Sequence, residues 1–172
     1  MTTTTPTSAA GPAGATGPTF RAPTASDGPA MWDLARASGL DENSPYAYVM
    51  WGEYHAGTSV VAVDDDGDLV GFVMGFRVPA APETVFVWQV ATSEACRGQG
   101  IAARLLDSLV ERTGAEAVEA TVTPGNDPSA ALFRGLGKRH GKRVEETPLF
   151  AEDLFPGDHE AEVRFRIPVG TP

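Results

Sequence analysis

Apolar positions along this chain change their period several times, and each change marks an element. Thr19-Phe-Arg-Ala reads as a short strand ended by Pro23. Ser26-Asp-Gly-Pro offers an N-cap and an early proline, after which Met31, Leu34 and Ala35 share one helical face up to Gly39. Asn43-Ser-Pro45 restarts the helical period, with Tyr46, Val49, Met50 and Tyr54 spaced for one face of a second helix. Ser59-Val-Val-Ala-Val63 and Leu69 to Phe76 then flank Asp64-Asp-Asp-Gly67, which predicts a hairpin.

Beyond Pro79 and Pro82 runs the apolar strand Thr84 to Thr92, with Phe86, Trp88 and Val90 expected on one face. A helix from Gly98 carries Ile101, Leu105, Leu106, Leu109 and Val110 on one stripe and is closed by Gly114. Ala117 to Thr123 is another strand, cut off at Pro124-Gly125. The next helix, from Asp127, presents Ala131, Leu132 and Leu136. The last third reads as a hairpin whose final strand alternates Val163, Phe165 and Ile167 with Glu162, Arg164 and Arg166. The order β-α-α-β-β-β-α-β-α-β-β predicts an α/β (α+β) architecture, a mixed sheet with helices on its faces.

Composition trims the picture at its edges. Residues 1–18 are Thr, Pro, Ala, Gly and Ser with no charge and no apolar period, which predicts a disordered tail before a single domain over 19–172. The start lacks the basic and apolar regions of a signal peptide, and no later run is long enough to span a membrane, so a cytoplasmic protein is expected. One cysteine, Cys96, excludes an intramolecular disulfide, and the three histidines lack the spacing of a zinc site; no metal is expected. A net charge of −10 argues against nucleic acid as a partner.

The chemistry starts where the long strand turns into its helix. In Arg97-Gly-Gln-Gly-Ile-Ala102, glycines let backbone come close to an anion, and the free amides of a helix start point at it. The turn is not a P-loop, which needs Gly-Lys followed by Ser or Thr, nor a dinucleotide fingerprint, since the third glycine is missing.

With its R-x-x-G-x-A spacing after a long apolar strand, the chain resembles the GNAT superfamily of N-acetyltransferases from about Thr19 onward. Leu40-Asp-Glu-Asn-Ser-Pro-Tyr46, Phe86-Val-Trp-Gln-Val90, Thr121-Val-Thr-Pro-Gly-Asn126 and Ser129-Ala-Ala-Leu-Phe133 are similar to the diaminobutyrate acetyltransferase subfamily, which serves ectoine biosynthesis. The resemblance implies a mostly antiparallel twisted sheet and direct acetyl transfer from acetyl-CoA to the 4-amino group of a small diamino acid. It also implies a homodimer. The backbone of Gly98, Gln99, Gly100, Ile101 and Ala102, with Arg97 beside it, would hold the pyrophosphate. Val90, Ala91 and Thr92 would pair with the pantetheine arm, and the Val90 amide would face the oxyanion. Asn126 and Phe133 would meet the cofactor from the other side. Many relatives carry a tyrosine acid at the position of Phe133, so here water, or no acid at all, would serve the departing thiolate.

Acetyl transfer needs a neutral amine, and freeing one from an alkyl ammonium of pKa about 10.4 costs ~4–5 kcal/mol at pH 7. A proton acceptor is therefore required. His159 is the candidate, with Glu162 beside it in sequence; if the last strand begins before His159, strand parity turns the two apart. Asp41, Tyr46 and Trp88 are the other acceptor-site candidates, the first two on a lid between the first helices. Each has a structural alternative, as a cap, a core residue or a core indole respectively. Two rival functions stay open at this stage, an acetyltransferase for another small amine and a non-catalytic acetyl-CoA-binding module.

Overall fold

The computed structural model describes residues 17–41, 43–157 and 159–170, so residues 1–16 of the expected tail lie outside the described residues. The elements follow the expected order: β1 (Thr19–Arg21), α1 (Gly28–Ala37), α2 (Pro45–Tyr54), β2 (Val60–Val63), β3 (Leu69–Val78), β4 (Ala81–Thr92), α3 (Ile101–Thr113), β5 (Ala117–Val122), α4 (Asp127–Arg139), β6 (Glu145–Phe150) and β7 (Glu162–Pro168). They form one seven-stranded sheet in the order β1-β2-β3-β4-β5-β7-β6. Every neighbouring pair is antiparallel except β4 and β5. Among the described residues, no helix is long and apolar enough to cross a membrane.

Each face of the sheet buries its own cluster. On one side Val60, Val73, Val85, Val87, Val118, Phe165 and Ile167 pack against Leu105, Leu106 and Leu109 of α3 and Phe133 and Leu136 of α4. On the other, Val61, Phe72, Met74 and Ala91 pack against Met31 and Ala35 of α1 and Tyr48 and Trp51 of α2. The α3 stripe is as expected, with Val110 at its partly buried margin.

Two helical faces differ from expectation. Tyr46, Val49 and Tyr54 of α2 are exposed, and Tyr48, Trp51 and Gly52 face inward instead. Apolar residues encircle this helix, so period alone does not select the buried side. The selecting residue is Gly52, where a Cβ would collide with the Thr24 carbonyl oxygen. On α4 the buried set is Ala130, Phe133 and Leu136, with Ala131 outside.

The entry to α1 is held by Arg21, whose guanidinium grips both oxygens of Asp27 at 2.8 and 2.7 Å. That ion pair, helped by the Thr24 backbone N–H, lowers the Asp27 carboxyl from 3.8 to about 2. The hairpin turn is closed by Asp64, whose Oδ1 accepts from the N–H groups of Asp66 at 3.1 Å and Asp68 at 2.9 Å. The acidic run there shapes a turn.

Candidate functional site

The parallel strands β4 and β5 pair only from Thr84/Ala117 to Val87/Ala120 and then part. Across β4, the pairing with β3 slips by one residue: Met74 faces Gln89, but the next residue, Gly75, faces Val87. Trp88 is the extra residue of a β-bulge, a device that bends a strand and re-aims its side chains.

Because of the bulge, consecutive residues share a face. Trp88 stacks on Trp51 at 4.5 Å between ring centroids, and Gln89 meets the Tyr48 hydroxyl at 2.9 Å, both on the α1/α2 side. Val90 packs instead with the α3/α4 cluster, so Trp88 and Val90 do not share the face that simple alternation predicts. Trp88 remains 39% exposed, as a wall and not as a core indole.

The backbone parity of β4 follows from one hydrogen bond. Ser93 N–H donates to Val70 O at 2.9 Å, continuing the register in which Gly71 faces Thr92. In an antiparallel ladder alternate residues turn their N–H and C=O groups to opposite edges. Ser93, Ala91 and Gln89 therefore address β3, while Val90 and Thr92 present theirs to the gap left by β5.

A cavity of about 650 Å³ fills that gap; Asp41, Trp88, Gln89 and Val90 line one side, and Asn126, Phe133, His159 and Glu162 the other. A smaller groove of about 280 Å³ shares Val90 and Ser129 with it and runs past Thr92 to Ala102. The two make one track from the cavity to the start of α3.

At the end of this track Gly98 and Gly100 adopt φ of 77° and 73°, left-handed values that side chains with a Cβ rarely accept. Among the described residues, nothing lies within 4 Å of where a Cβ would stand at either glycine, so conformation alone demands them. Among the described residues, no hydrogen-bond acceptor takes the N–H of Gly98, Gly100, Ile101, Ala102 or Ala103. Gln99 is tied back, through its N–H to Cys96 O at 3.3 Å and its amide side chain to Ala95 O at 3.1 Å. Arg97 stands exposed beside the turn, 3.5 Å from Glu94. Two other arginines are committed elsewhere: Arg104 lies over the Phe20 ring at 4.4 Å, and Arg134 grips Glu146 with two 2.7 Å bonds.

His159 and Glu162 meet at the opposite end. The strand begins at Glu162 and not before His159, so the parity that would have separated them does not apply. The preceding loop folds back, stacks His159 on Phe155 at 4.0 Å, and leaves His159 Nε2 3.9 Å from Glu162 Oε1. His159 Nδ1 lies 2.6 Å from Glu160 O, a contact that needs a proton on Nδ1. In neutral imidazole Nε2 is then an acceptor. Glu162 Oε1 accepts from the Thr123 hydroxyl at 3.1 Å, while its buried Oε2 has no partner among the described residues. An imidazole and a carboxylate thus stand side by side on the cavity lining. A cationic donor satisfies both.

The remaining candidates divide. Asp41 is exposed at the cavity mouth. Tyr46 is 73% exposed and does not line the cavity; Tyr48, fully buried two residues later, reaches the bulge instead. Burial raises the pKa of the Tyr48 phenol. Asn126 caps α4 by accepting from Ser129 N–H at 3.2 Å. Phe133, 3% exposed against Phe165, brings no transferable proton. Sequence reasoning missed Gln89, Tyr48 and Phe155. A glutamine inside an otherwise apolar strand was the available signal for the first.

The acetyltransferase (GNAT) family model matches residues 29–137. L-2,4-diaminobutyric acid acetyltransferase of Marinococcus halophilus is 49% identical over 152 residues, covering 86% of this chain and 88% of that protein. The enzyme of the same name from Halalkalibacterium halodurans is 48% identical over 153 residues, covering 87% of this chain and 80% of that protein. Among solved structures, diaminobutyrate acetyltransferase of Paenibacillus lautus, in complex with L-2,4-diaminobutyric acid and coenzyme A, superposes with a TM-score of 0.84 at 38% identity, covering 90% of this chain and 96% of that one.

Proposed function

The chain belongs to the diaminobutyrate acetyltransferases of the GNAT family, and from that premise we propose that it moves the acetyl group of acetyl-CoA to the 4-amino group of L-2,4-diaminobutyrate. The observation that carries this reading is the meeting of His159 and Glu162, with Nε2 and Oε1 3.9 Å apart, on the lining of the cavity into which the Val90 backbone opens. An ammonium belongs at one end and a polarised carbonyl at the other.

In the proposed reaction the pyrophosphate of CoA rests on the open amides of Gly98, Gly100, Ile101 and Ala102, with Arg97 as a nearby cation and Gln99 shaping the turn. The pantetheine arm follows the groove and pairs with Val90 and Thr92 like an added strand. Ala91, which turns its backbone to β3, contributes to the groove wall alone. Asn126 and Phe133 bound the thioester from the α4 side.

Glu162 holds the 4-ammonium and His159 Nε2 takes its proton. The neutral nitrogen attacks the thioester carbon, and Val90 N–H receives the oxyanion. Collapse of the tetrahedral adduct breaks the C–S bond. The amide nitrogen sheds its second proton to water, and the thiolate leaves as such or takes a proton from water, since Phe133 offers none. Asp41 and the face of Trp88 meet the acceptor's second ammonium.

We place the reaction in the cytoplasm, where the acetylated product serves as precursor to the compatible solute ectoine under osmotic stress, and we read residues 19–172 as one catalytic domain. We also propose a homodimer. Edge strand β6 is exposed along its whole length, with Leu149 and Phe150 39 and 42% exposed on it and Leu154, in the turn that follows, 66% exposed. Sedimentation is expected at twice the monomer mass; a monomer at assay concentrations contradicts this part.

The activity itself is tested by coenzyme A release with diaminobutyrate, ornithine and lysine side by side. Diaminobutyrate is expected to be preferred by roughly tenfold or more in kcat/KM, as a site fitted to chain length allows. Equal rates on all three remove the acceptor assignment but keep the acetyltransferase.

A further inference from the structure

The loop between α1 and α2 is fastened from beneath by polar groups that acetyl transfer does not itself require. Tyr48 O–H donates to Gln89 Oε1 at 2.9 Å, which turns the Gln89 amide nitrogen toward Asp41 O, 3.3 Å away. Asn43 Nδ2 reaches the same carbonyl at 3.4 Å, and Trp32 Nε1 donates to Asn43 O at 3.1 Å. Gln89 is 8% exposed and Tyr48 fully buried. Polar groups this deep persist where they are satisfied, and they then specify one arrangement of what they bind.

The bulge makes this lock possible. In regular alternation Gln89 would fall on the opposite face from Trp88. The extra residue turns both toward α2, one as a wall of the acceptor cavity and the other as the anchor of its rim. Strand irregularity and loop position are thereby one feature, with Asp41 at its outer end.

We propose that Gln89 is a positioning residue for acceptor selectivity: by holding the Asp41 carbonyl against the bulge of β4, it fixes where the Asp41 carboxylate meets the acceptor's second ammonium. This rests on the reading of Asp41 as an acceptor contact. An acceptor without that ammonium, such as 4-aminobutyrate, gains nothing from the lock. Selectivity between the two amines is therefore its direct readout.

The test compares Gln89→Met, which keeps volume and removes both side-chain bonds, with Tyr48→Phe, which removes only the bond that orients the amide. In Gln89→Met the preference for diaminobutyrate over 4-aminobutyrate is expected to fall roughly tenfold, mainly through KM for diaminobutyrate, with KM for acetyl-CoA within about twofold. Tyr48→Phe moves the same ratio in the same direction by less. Hydrogen exchange accelerates in the α1–α2 loop and not in α3. An unchanged ratio in Gln89→Met overturns the proposal, as does a common rise of both KM values with protection lost throughout. If the parent enzyme itself does not distinguish the two amines, the acceptor reading fails, and loop exchange then decides the lock alone: unchanged exchange in Gln89→Met overturns it.

Discussion

Glu162→Gln is expected to lower kcat/KM for diaminobutyrate by roughly 10²–10³-fold, the scale on which proton-handling and buried charge-pairing groups act. KM for acetyl-CoA should stay within about twofold, because the pyrophosphate turn lies at the far end of the track. The carboxylate is held by Thr123 through Oε1, and its buried Oε2 has no partner among the described residues. A largely buried carboxylate on the cavity lining gains from pairing with an arriving ammonium. The substituted side chain keeps the shape and the Thr123 bond but loses the charge. Its NH2 also competes with the ammonium for His159 Nε2, 3.9 Å from Glu162 Oε1 in the parent. Steady-state kinetics with both substrates varied checks this. A change confined to KM for acetyl-CoA would place Glu162 outside the acceptor site.

Gly100→Ala should act at the other end, raising KM for acetyl-CoA roughly tenfold or more with little change in KM for the diamine. A Cβ at φ 73° costs ~1–2 kcal/mol, and the free chain escapes that cost by leaving the left-handed region. Escape turns the amides of Gly100, Ile101 and Ala102 away from their common focus, so cofactor binding must restore the strained turn. The added methyl meets no atom of the described residues within 4 Å, which separates this effect from core damage. Gly114→Ala is the matched control: it closes the same helix at φ 58°, also in open space, but far from the track. It should cost similar stability and leave KM for acetyl-CoA unchanged. Equal effects of both substitutions on KM would mean that the turn works only as a helix end.

The two variants probe parts of the molecule that differed in how legible they were. The glycine turn was readable from sequence because a left-handed backbone leaves a residue-type signature, as do proline-marked helix starts and the Asp-Gly hairpin. Strand and helix order followed from the same punctuation. The bulge at Trp88 was not readable. Residues 84–92 are largely buried or half-buried on both faces, so no polar alternation survives to reveal a one-residue slip. The inward face of α2 was hidden for a related reason, since aromatic residues surround it and only Gly52 betrays the close approach to Thr24. His159 and Glu162 were named from their chemistry, but their convergence depends on a loop with no period of its own. For the acceptor site, residue types were therefore legible in advance, while the distances among them came from one bulge and one loop.

In the proposed reaction an ammonium bound beside His159 and Glu162 is acetylated where the Val90 amide meets the thioester. The side-by-side acceptor assay tests it most directly when the diaminobutyrate product is assigned by NMR. Acetylation at the 4-nitrogen, with ornithine and lysine far slower, is the predicted result. Acetylation at the 2-nitrogen, or no acetylated product while coenzyme A still binds, would contradict it.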